Sequence, residues 1–544
     1  MKKYSYLILT LLWGASLAAV NLPDNIYFHA MQDEMARTKK ELHVKGSAKP
    51  FYIAYRLLRP QITQEFAADL GQPYPLQNPV SFNGVTVSVY IYAGDKKNNS
   101  SGYEDDYYAR TVLAGRTADS YASLRDALWQ LTDLEYVKAS NVADKKAAYK
   151  RRKNLTREPT DFSAAPKSSF VEEIPPLNLP PEAELEALVQ KLSNQSAQYP
   201  YLEKYRVVLR FAQSAEYFLD SEDNFYQKYV PASQMILQAL WHTRAGYEEK
   251  SSAVFALPTE NIAGFAREKS NAFLQQVARS YQAQKGAAYL GPVLLMPYAA
   301  AGYLNQFFVK NVRYAKPLLS AVRETDPSAG KFRDKLGMRV ISPLFSVFDR
   351  PLARVYQTEP LAGFMPVDGE GVTAQELQLV ANGKLITLPS ARSLMAGQKQ
   401  SNGHGRLGNV YPRATVTNVF FEAKNALAHD QLEKELLARC REQELDYCYI
   451  FHVFPGQPGA DQLATAERIY TTDGHKESIY GLEWSEVSSG SLRDIWASGD
   501  KNEVFSTAEN GVSWSVVAPG LLIDNIELMP TQRKPDQKPF VSLP

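Results

Sequence analysis

Residues Gly291 to Phe308 read GPVLLMPYAAAGYLNQFF, and this stretch decides how the second half of the chain is interpreted. The apolar run Val293-Leu294-Leu295 predicts a buried strand, and the alanine-rich segment behind it predicts a helix. Pro297 would fall in the first turn of that helix, where its missing backbone N–H costs little. The stretch therefore predicts a strand that leads directly into a helix.

The size and charge of the chain exclude some classes of function. Its 544 residues are enough for two or more domains with cores of their own. The 60 Lys and Arg residues balance 59 Asp and Glu residues and leave a net charge of +1, which argues against nucleic acid as a main partner. Aromatic residues make up 11% of the chain, with 32 tyrosines, a composition typical of β-rich proteins with broad, half-buried sheet faces.

The N-terminus has the pattern of an export signal, which we assign to residues 1–20. Lys2 and Lys3 precede an apolar run from Tyr4 to Val20 that ends in small residues suitable for cleavage. No later segment approaches membrane-spanning length. We therefore expect a periplasmic or extracellular protein that is not inserted in a membrane after cleavage.

Cys440 and Cys448 are the only cysteines in the chain. In an oxidising compartment they could form a disulfide, although their spacing says nothing about the geometry. We expect them to be buried free thiols, because a free cysteine behaves as a small apolar side chain.

The first half predicts an α+β domain over residues 21–285. Residues Val85 to Tyr92 alternate between aliphatic side chains and Thr, Ser or Tyr, so one face of the sheet should be apolar and the other tyrosine-lined. Gly286 ends the last helix and marks the boundary. The predicted elements are helices from about Tyr27 to Val44, from an N-cap at Asp119 to about Lys150, from Glu182 to about Gln195 and from about Thr259 to Gln282, with strands at Phe51 to Arg59, Val85 to Tyr92, Tyr201 to Phe211 and Gln234 to Ala245.

The second half predicts a β-rich domain over residues 286–533. Its strongest short-range signal is Leu377 to Leu388, where apolar runs flank Asn382-Gly383, the dipeptide that best supports a tight hairpin turn. One amphipathic helix is predicted from about Leu427 to Gln443. Residues 534–544 are polar and rich in proline, which predicts a loose tail.

The segment Gly403-His404-Gly405-Arg406-Leu407-Gly408 fits G-x-G-x-x-G but does not predict a nucleotide site. A dinucleotide-binding loop leads into a helix, and Asn409 to Pro412 cannot readily open one. The glycines are more simply explained by a close approach of the backbone to another segment or to a peptide. His404 and Arg406, with Asn402 and Arg413 nearby, could hold a substrate carboxylate or carbonyl, although we expect a solvated loop.

Asp368 and Glu370 lie in an acidic, glycine-rich loop that could bind a cation or act as an acid/base pair. We expect it to be a solvent-exposed turn. The seven histidines include no pair at metal-binding spacing with an intervening Glu, and no C-x-x-C occurs, so the sequence encodes no local metal site.

Several segments resemble the TldD/PmbA family of metalloprotease-related proteins, also called modulators of DNA gyrase. The resemblance covers almost the whole mature chain, and its first half resembles the exported, TldD-related branch. The segments that carry it are Lys49 to Tyr55, Val85 to Asp95, Arg125 to Trp129, Tyr289 to Leu294, Asp368 to Val372, Leu379 to Gly383, Ser401 to Arg406, Thr417 to Val419 and Val517 to Leu522.

Catalytic members of that family carry H-E-x-x-x-H on a helix after an apolar strand, where the histidines hold zinc and the glutamate activates water. Aligned on Val293-Leu294-Leu295, these positions fall on Met296, Pro297 and Ala301, which supply none of these groups. The resemblance therefore implies a PmbA-like subunit without a cofactor, which associates with a catalytic TldD-like subunit, or with itself, to degrade peptides. Zinc is expected only in such a partner.

The resemblance also implies an α+β fold, with a curved sheet in the C-terminal half and a site that faces a cavity between subunits. Two other functions stay open at this point. One is a hydrolase with a rebuilt active site that uses His404, Arg406, Asp368 or Glu370. The other is an envelope protein that grips extended peptides by strand addition and does not cleave them.

Overall fold

The computed structural model describes residues 22–43, 46–74, 84–103, 120–155, 160–176, 178–242, 248–314, 319, 330–394, 398–407, 413–454, 466–485, 488–509 and 511–531. The predicted export signal and the predicted C-terminal tail lie outside these residues. So do residues 409–412, which follow the G-x-G-x-x-G segment.

Six α-helices occur in the described part of the chain. The second begins at Ser120, whose hydroxyl accepts a hydrogen bond from the N–H of Ser123 at 3.2 Å, so the predicted N-cap at Asp119 is wrong by one residue. No helix among the described residues is both long enough and apolar enough to cross a membrane. The helices are α1 (Ile26–Glu41), α2 (Tyr121–Lys153), α3 (Glu182–Ser193), α4 (Ile262–Gln282), α5 (Pro297–Phe307) and α6 (His429–Glu442), with 3-10 turns at Asn194–Gln198, Val309–Asn311 and Ser491–Arg493.

Eight strands of the first half form one mixed sheet. They are β1 (Pro50–Asp69), β2 (Gln72–Pro73), β3 (Thr86–Ala93), β4 (Ser169–Val171), β5 (Leu202–Asp220), β6 (Phe225–Pro231), β7 (Gln234–His242) and β8 (Glu248–Ala256). The long strands β1 and β5 pair at its centre; β2 and β3 pair with β1, while β6 and β7 pair with β5. β4 and β6 run parallel, and the other pairs are antiparallel.

The second half is built on a larger mixed sheet of twelve strands. Its order is β15-β14-β11-β18-β24-β10-β19-β20-β21-β9, and β22 and β23 also pair with β24. The strands β12 with β13 and β16 with β17 form two separate pairs. The strands are β9 (Gln284–Lys285), β10 (Tyr289–Leu295), β11 (Phe345–Asp349), β12 (Val355–Tyr356), β13 (Glu359–Pro360), β14 (Leu377–Ala381), β15 (Lys384–Leu385), β16 (Gly405–Arg406), β17 (Arg413–Ala414), β18 (Asn418–Ala423), β19 (Tyr447–Phe451), β20 (Ala466–Tyr470), β21 (Lys476–Tyr480), β22 (Leu482–Trp484), β23 (Ile495–Glu509) and β24 (Val512–Pro530).

These elements confirm the predicted α+β fold. The predicted helices and strands are found with boundaries that differ by a few residues, except that β1 and β5 run much further than predicted. The division into two domains at Gly286 stays a prediction.

The two faces of the first sheet have different partners, as the alternation in β3 predicts. Val87, Val89 and Ile91 lie in the apolar core beneath α1 and α2. Tyr90 and Tyr92 point the other way and pack in a separate cluster that includes residues of the second half of the chain. The tyrosine-lined face therefore packs against segments of the second half of the chain.

The predicted hairpin is present. Asn382 and Gly383 have φ angles of 48° and 80° and join β14 to β15. A side chain at Gly383 would also collide with the backbone, because its Cβ would lie 2.7 Å from the carbonyl oxygen of Ile341 and 2.9 Å from Cα of Pro343. The turn thus fixes this hairpin against the segment that precedes β11.

The two cysteines form a disulfide, so the expectation of free thiols is wrong. Cys440 lies in the last turn of α6 and Cys448 in β19, and both are buried. After α6 the chain turns back at Glu444, which has a φ of 57°, and the N–H of Leu445 donates to the carbonyl of Cys440. This turn brings the two Cα atoms to 6.4 Å, a distance that a disulfide can span.

Replacing Gly383 with Ala tests the hairpin turn. We expect Gly383→Ala to lower the free energy of unfolding by roughly 2–4 kcal/mol, because it combines positive-φ strain with a backbone collision. Gly474→Ala is the matched control: Gly474 has a φ of 74° but no atom within 4 Å of the added Cβ, so only about 1 kcal/mol should be lost. Urea unfolding followed by circular dichroism measures both, and equal losses would show that the collision does not matter.

Candidate functional site

The helix predicted after the apolar strand is α5, and it begins where the sequence places it. β10 ends at Leu295, Met296 is the N-cap, and Pro297 occupies the first turn. The N–H of Met296 donates to the carbonyl of Phe451 at 2.8 Å, and its own carbonyl accepts from Ala300 at 2.8 Å. The helix is thus anchored to β19 through its cap residue.

The three positions that the family resemblance assigns to zinc chemistry are packed as core. Pro297 and Ala301 are buried, and Met296 packs against the apolar cluster around the disulfide. The ring of Pro297 also lies 3.7 Å from where a Cβ on Gly520 would be, so β24 passes close by. The first turn of α5 therefore has apolar surroundings with little spare room.

Zinc does not fit the donor set at this helix. Protein zinc sites use Cys sulfur, His nitrogen or carboxylate oxygen, and Met296, Pro297 and Ala301 offer none of these. Across the described residues, no group of three His, Cys, Asp or Glu side chains is arranged to hold a metal ion. No metal-dependent step can be derived from these residues.

The second predicted set, around His404, is built into the fold. The Asn402 side chain accepts from the N–H of Ser390 at 2.7 Å and donates to the carbonyl of Leu388 at 2.9 Å. His404 is fully buried, and its Nε2 lies 3.3 Å from Oδ2 of Asp349 on β11. The expected solvated loop is therefore wrong for His404, and the substrate-binding role of Asn402 and His404 stays a prediction.

The glycines beside His404 permit close approach to another part of this chain. Gly403 has a φ of 75°, and a side chain there would collide with the carbonyl of Thr373. A Cβ on Gly405 would lie 2.9 Å from Oε2 of Glu370 and 3.0 Å from Oδ2 of Asp368. The motif thus lets the backbone run against the acidic loop.

Arg406 and Arg413 face each other across the short pair of β16 and β17, and both are half-buried. Arg406 donates to the carbonyl of Ser513 at 2.7 Å and more weakly to that of Val416. Loss of hydration lowers the pKa of Arg406 to about 10. The guanidinium of Arg406 therefore lies between the segments that carry Val416 and Ser513, where loss of hydration disfavours its charge.

Asp368 and Glu370 are buried, so the expected solvent-exposed turn is wrong. Oδ1 of Asp368 accepts from the N–H groups of Glu370 and Val372, both at 2.9 Å, and Oδ2 accepts from Gly405 at 2.8 Å. Asp368 thus binds the acidic loop to the His404 segment through Gly405. Nothing in the sequence of the loop predicts that contact.

Arg392, which the sequence did not single out, joins the acidic loop to the first half. Its backbone N–H donates to Oε2 of Glu370 at 2.6 Å, its Nε donates to the carbonyl of Ser163 at 2.8 Å, and its Nη1 lies 2.7 Å from Glu222. The guanidinium is fully buried and sits 3.9 Å from the ring centre of Phe162. It links the two halves of the chain.

Two buried acids, Asp368 and Asp220, have raised pKa values. Burial, with the nearby charge of Glu370, raises the pKa of Asp368 to about 7. Burial likewise raises the pKa of Asp220, at the end of β5, to about 6, although Asn224 and Tyr52 donate hydrogen bonds to it. Both carboxyls therefore change charge within the physiological pH range.

The sequence also did not single out Glu216, a charged residue on the tyrosine-lined face. Glu216 accepts from Nε of Arg56 at 2.8 Å and from the hydroxyl of Tyr226 at 2.6 Å. Burial opposes its ionisation, but the charges of Arg56 and Lys228 hold the pKa of Glu216 well below its usual range. These residues come from three strands, β1, β5 and β6, so no local pattern brings them together.

Two clefts lie away from these groups. One, of about 560 Å³, is lined near the C-terminal end of α2 by Lys146, Lys150 and Arg151. Another, of about 40 Å³, lies beside Tyr298 of α5 and Lys269 of α4. Neither is lined by the residues predicted to bind substrate.

The raised pKa values predict that stability falls as the pH rises. Because folding raises the pKa of Asp368 and of Asp220, the folded chain binds more protons than the unfolded chain between about pH 4 and pH 7. The free energy of unfolding should therefore decrease across that window, and Asp368→Asn should flatten the decrease. Urea unfolding at several pH values from about 5 to 8 measures this.

Asp223→Asn is the control for that experiment, because Asp223 is an exposed acid three residues from Asp220. It should leave the slope of stability against pH unchanged. Only the slope is compared, since Asp368→Asn also loses an acceptor for a backbone N–H. A wild-type protein whose stability does not depend on pH in this window would contradict the assignment.

Comparison with known proteins identifies the fold. Residues 289–528 match the PmbA/TldA metallopeptidase C-terminal domain. No curated protein matches the sequence of the chain.

Three solved structures are similar over nearly the whole chain. TldE from Thermococcus kodakarensis aligns with a TM-score of 0.58 and 13% identity, covering 92% of this chain and 100% of that one. A proposed modulator of a DNA gyrase from Thermotoga maritima gives a TM-score of 0.56, 15% identity and coverage of 92% and 100%. A similarly described protein from Bacteroides thetaiotaomicron gives 0.51, 11% and coverage of 93% and 98%.

At these identities the solved structures show a shared fold. The domain match supplies the family for the second half, and it includes α5, the acidic loop and the His404 segment. Residues 289–528 therefore form a domain of the PmbA/TldA metallopeptidase C-terminal type, and the chain as a whole shares the fold of the TldE and gyrase-modulator structures.

Proposed function

We propose that this chain is a zinc-less, non-catalytic subunit that pairs with a catalytic relative in the proteolysis of peptides. The observation that carries the proposal is the start of α5, where Met296, Pro297 and Ala301 occupy the motif positions without a zinc donor. The helix is present without the zinc ligands and the glutamate of the motif, as expected for a subunit that contributes a binding surface and no catalytic group.

Packing around α5 supports the same proposal. Ala301 has no exposed surface and lies in the core beneath β23 and β24. A histidine there would have to displace buried neighbours, because cores are close-packed. The site is therefore filled with apolar side chains, which a binding site for a hydrated metal ion would not be.

The rebuilt hydrolase is the weaker alternative. His404 and Asp368 are buried, and their polar atoms face Asp349, Asn402 and backbone N–H groups. No observation on these residues favours that activity over a structural role.

We also propose that the chain is exported. The basic and apolar N-terminus supports this, and so does the disulfide between Cys440 and Cys448, since disulfides persist in oxidising compartments. A peptide-processing complex outside the cytoplasm would then contain this chain as one of its subunits.

Peptide turnover by reconstituted mixtures tests the proposed role. The isolated chain should not cleave an unstructured peptide, and a TldD/PmbA relative that carries H-E-x-x-x-H should cleave it faster when this chain is added. Met296→Leu should change the turnover of the mixture by less than about twofold, because the thioether is proposed to have only a packing role. Turnover by the isolated chain, or its loss in Met296→Leu, would contradict the proposal.

Thiol counting tests export and the disulfide together. Protein secreted with its own N-terminus should show no reactive thiol when denatured and two after reduction, and reduction should lower the free energy of unfolding by roughly 2–3 kcal/mol. Cys440→Ser serves as the control and should expose one thiol without reductant. Two reactive thiols in the denatured, unreduced protein would rule the disulfide out.

A further inference from the structure

Four basic side chains from both halves of the chain converge on the tyrosine-lined face of the first sheet. Lys228 on β6 pairs in register with Glu216 on β5, and Arg56 on β1 binds the same glutamate. Arg354 and Arg406 approach from the second half, close enough that the charges of all three arginines act on Lys228. These four cations are called the basic cluster below.

The acids nearby do not balance the basic cluster. Glu216 binds Arg56 at 2.8 Å and lies 3.7 Å from Lys228. Glu172 binds Arg354. With Asp349 near Arg406, three carboxylates among the residues that the structure describes face four cations, and one positive charge is left over.

Arg406 carries that unbalanced charge most directly. Within the described residues it has no carboxylate within 4 Å, and its nearest partners are the carbonyls of Ser513 and Val416. The oxygens of Asp349 already accept hydrogen bonds from Thr417 and Asn418. A guanidinium that lacks an anionic partner in a poorly hydrated place is unfavourable.

Lys228 has an acidic partner, but that partner is shared. Its side chain is only 12% exposed and its one acidic neighbour is shared with Arg56. Burial lowers the pKa of Lys228, and the charges of Arg56, Arg406 and Arg354 lower it further. Charges that destabilise one another at an unsealed site indicate a ligand of opposite sign.

A ligand can reach the cluster. The Arg56 and Arg354 side chains are 23% and 29% exposed, and Arg406 is half-buried. One excess positive charge matches a monovalent anion, whereas a phosphate dianion would leave a negative charge in excess. A carboxylate also has the planar shape that a guanidinium binds with two hydrogen bonds.

We propose that Lys228 and Arg406 together bind a carboxylate of a peptide at the junction between the two halves of the chain. The choice of a peptide rests on the proposed function, while the preference for a carboxylate rests on the cluster itself. The chain would then hold a substrate or product by its C-terminal carboxylate or by an acidic side chain.

Calorimetric titration of the full isolated chain at low salt tests the proposal. Three peptides of one uncharged sequence are compared: one with a free C-terminal carboxylate, one with a C-terminal amide, and one with a C-terminal amide and an internal Glu. We expect the free carboxylate, the Glu peptide or both to bind at least about tenfold more tightly than the uncharged amide. The two carboxylate peptides distinguish the sources of the group.

Lys228→Met should weaken carboxylate binding about tenfold and should not lower the thermal unfolding midpoint, because it removes a repelled cation. Lys434→Met is the matched control, since Lys434 is an exposed lysine on α6 and its loss should not affect binding. If Lys228→Met does not fold, Arg406→Lys takes its place and should also weaken binding. Equal affinity for the amide and the carboxylates, no binding of any peptide, or unchanged affinity in these variants would overturn the proposal.

The experiment contains no catalytic relative. If no carboxylate binds, the proposed site is rejected. The proposed role in proteolysis is then still tested separately, by peptide turnover in the mixture of this chain with a catalytic relative. Binding without any turnover in the mixture would instead support the site and reject that role.

Discussion

The first turn of α5 lies in the core of the second half, between β10, which leads into it, and β24, which passes beside Pro297. This apolar contact constrains what the chain can do. A zinc site of the peptidase type needs two imidazoles and a carboxylate near open space, and here a thioether, a pyrrolidine ring and a methyl group are packed against neighbouring strands. The helix α5 packs against β23 and β24 of the twelve-stranded sheet.

The charged interface between the two halves is the second organising feature. Arg392 ties the acidic loop to Glu222 and Phe162, and the acidic loop in turn accepts hydrogen bonds from Gly405 in the His404 segment. The same face carries the basic cluster, in which one positive charge is not balanced. The polar residues that suggested an active site in the sequence mostly contact other segments of the second half. The basic cluster is where we propose that a ligand binds.

Local patterns could be predicted from the sequence, and contacts between distant segments could not. The alternation through Val85 to Tyr92 and the Asn382-Gly383 turn depend on neighbouring residues, and both are confirmed. The burial of Asp368 and His404 depends on partners far along the chain, such as Asp349, so the expected exposed turn and solvated loop were wrong. Cysteine spacing likewise did not show that the turn after α6 brings Cys440 and Cys448 together.

The most direct test of the central claim is the zinc content of the isolated chain, purified without chelator and measured by inductively coupled plasma mass spectrometry after incubation with zinc and gel filtration. The account predicts far less than one zinc ion per chain, with a catalytic relative treated in parallel retaining its metal. A stable content of one zinc per chain would contradict it, because a donor set would then have to exist that the described residues do not contain.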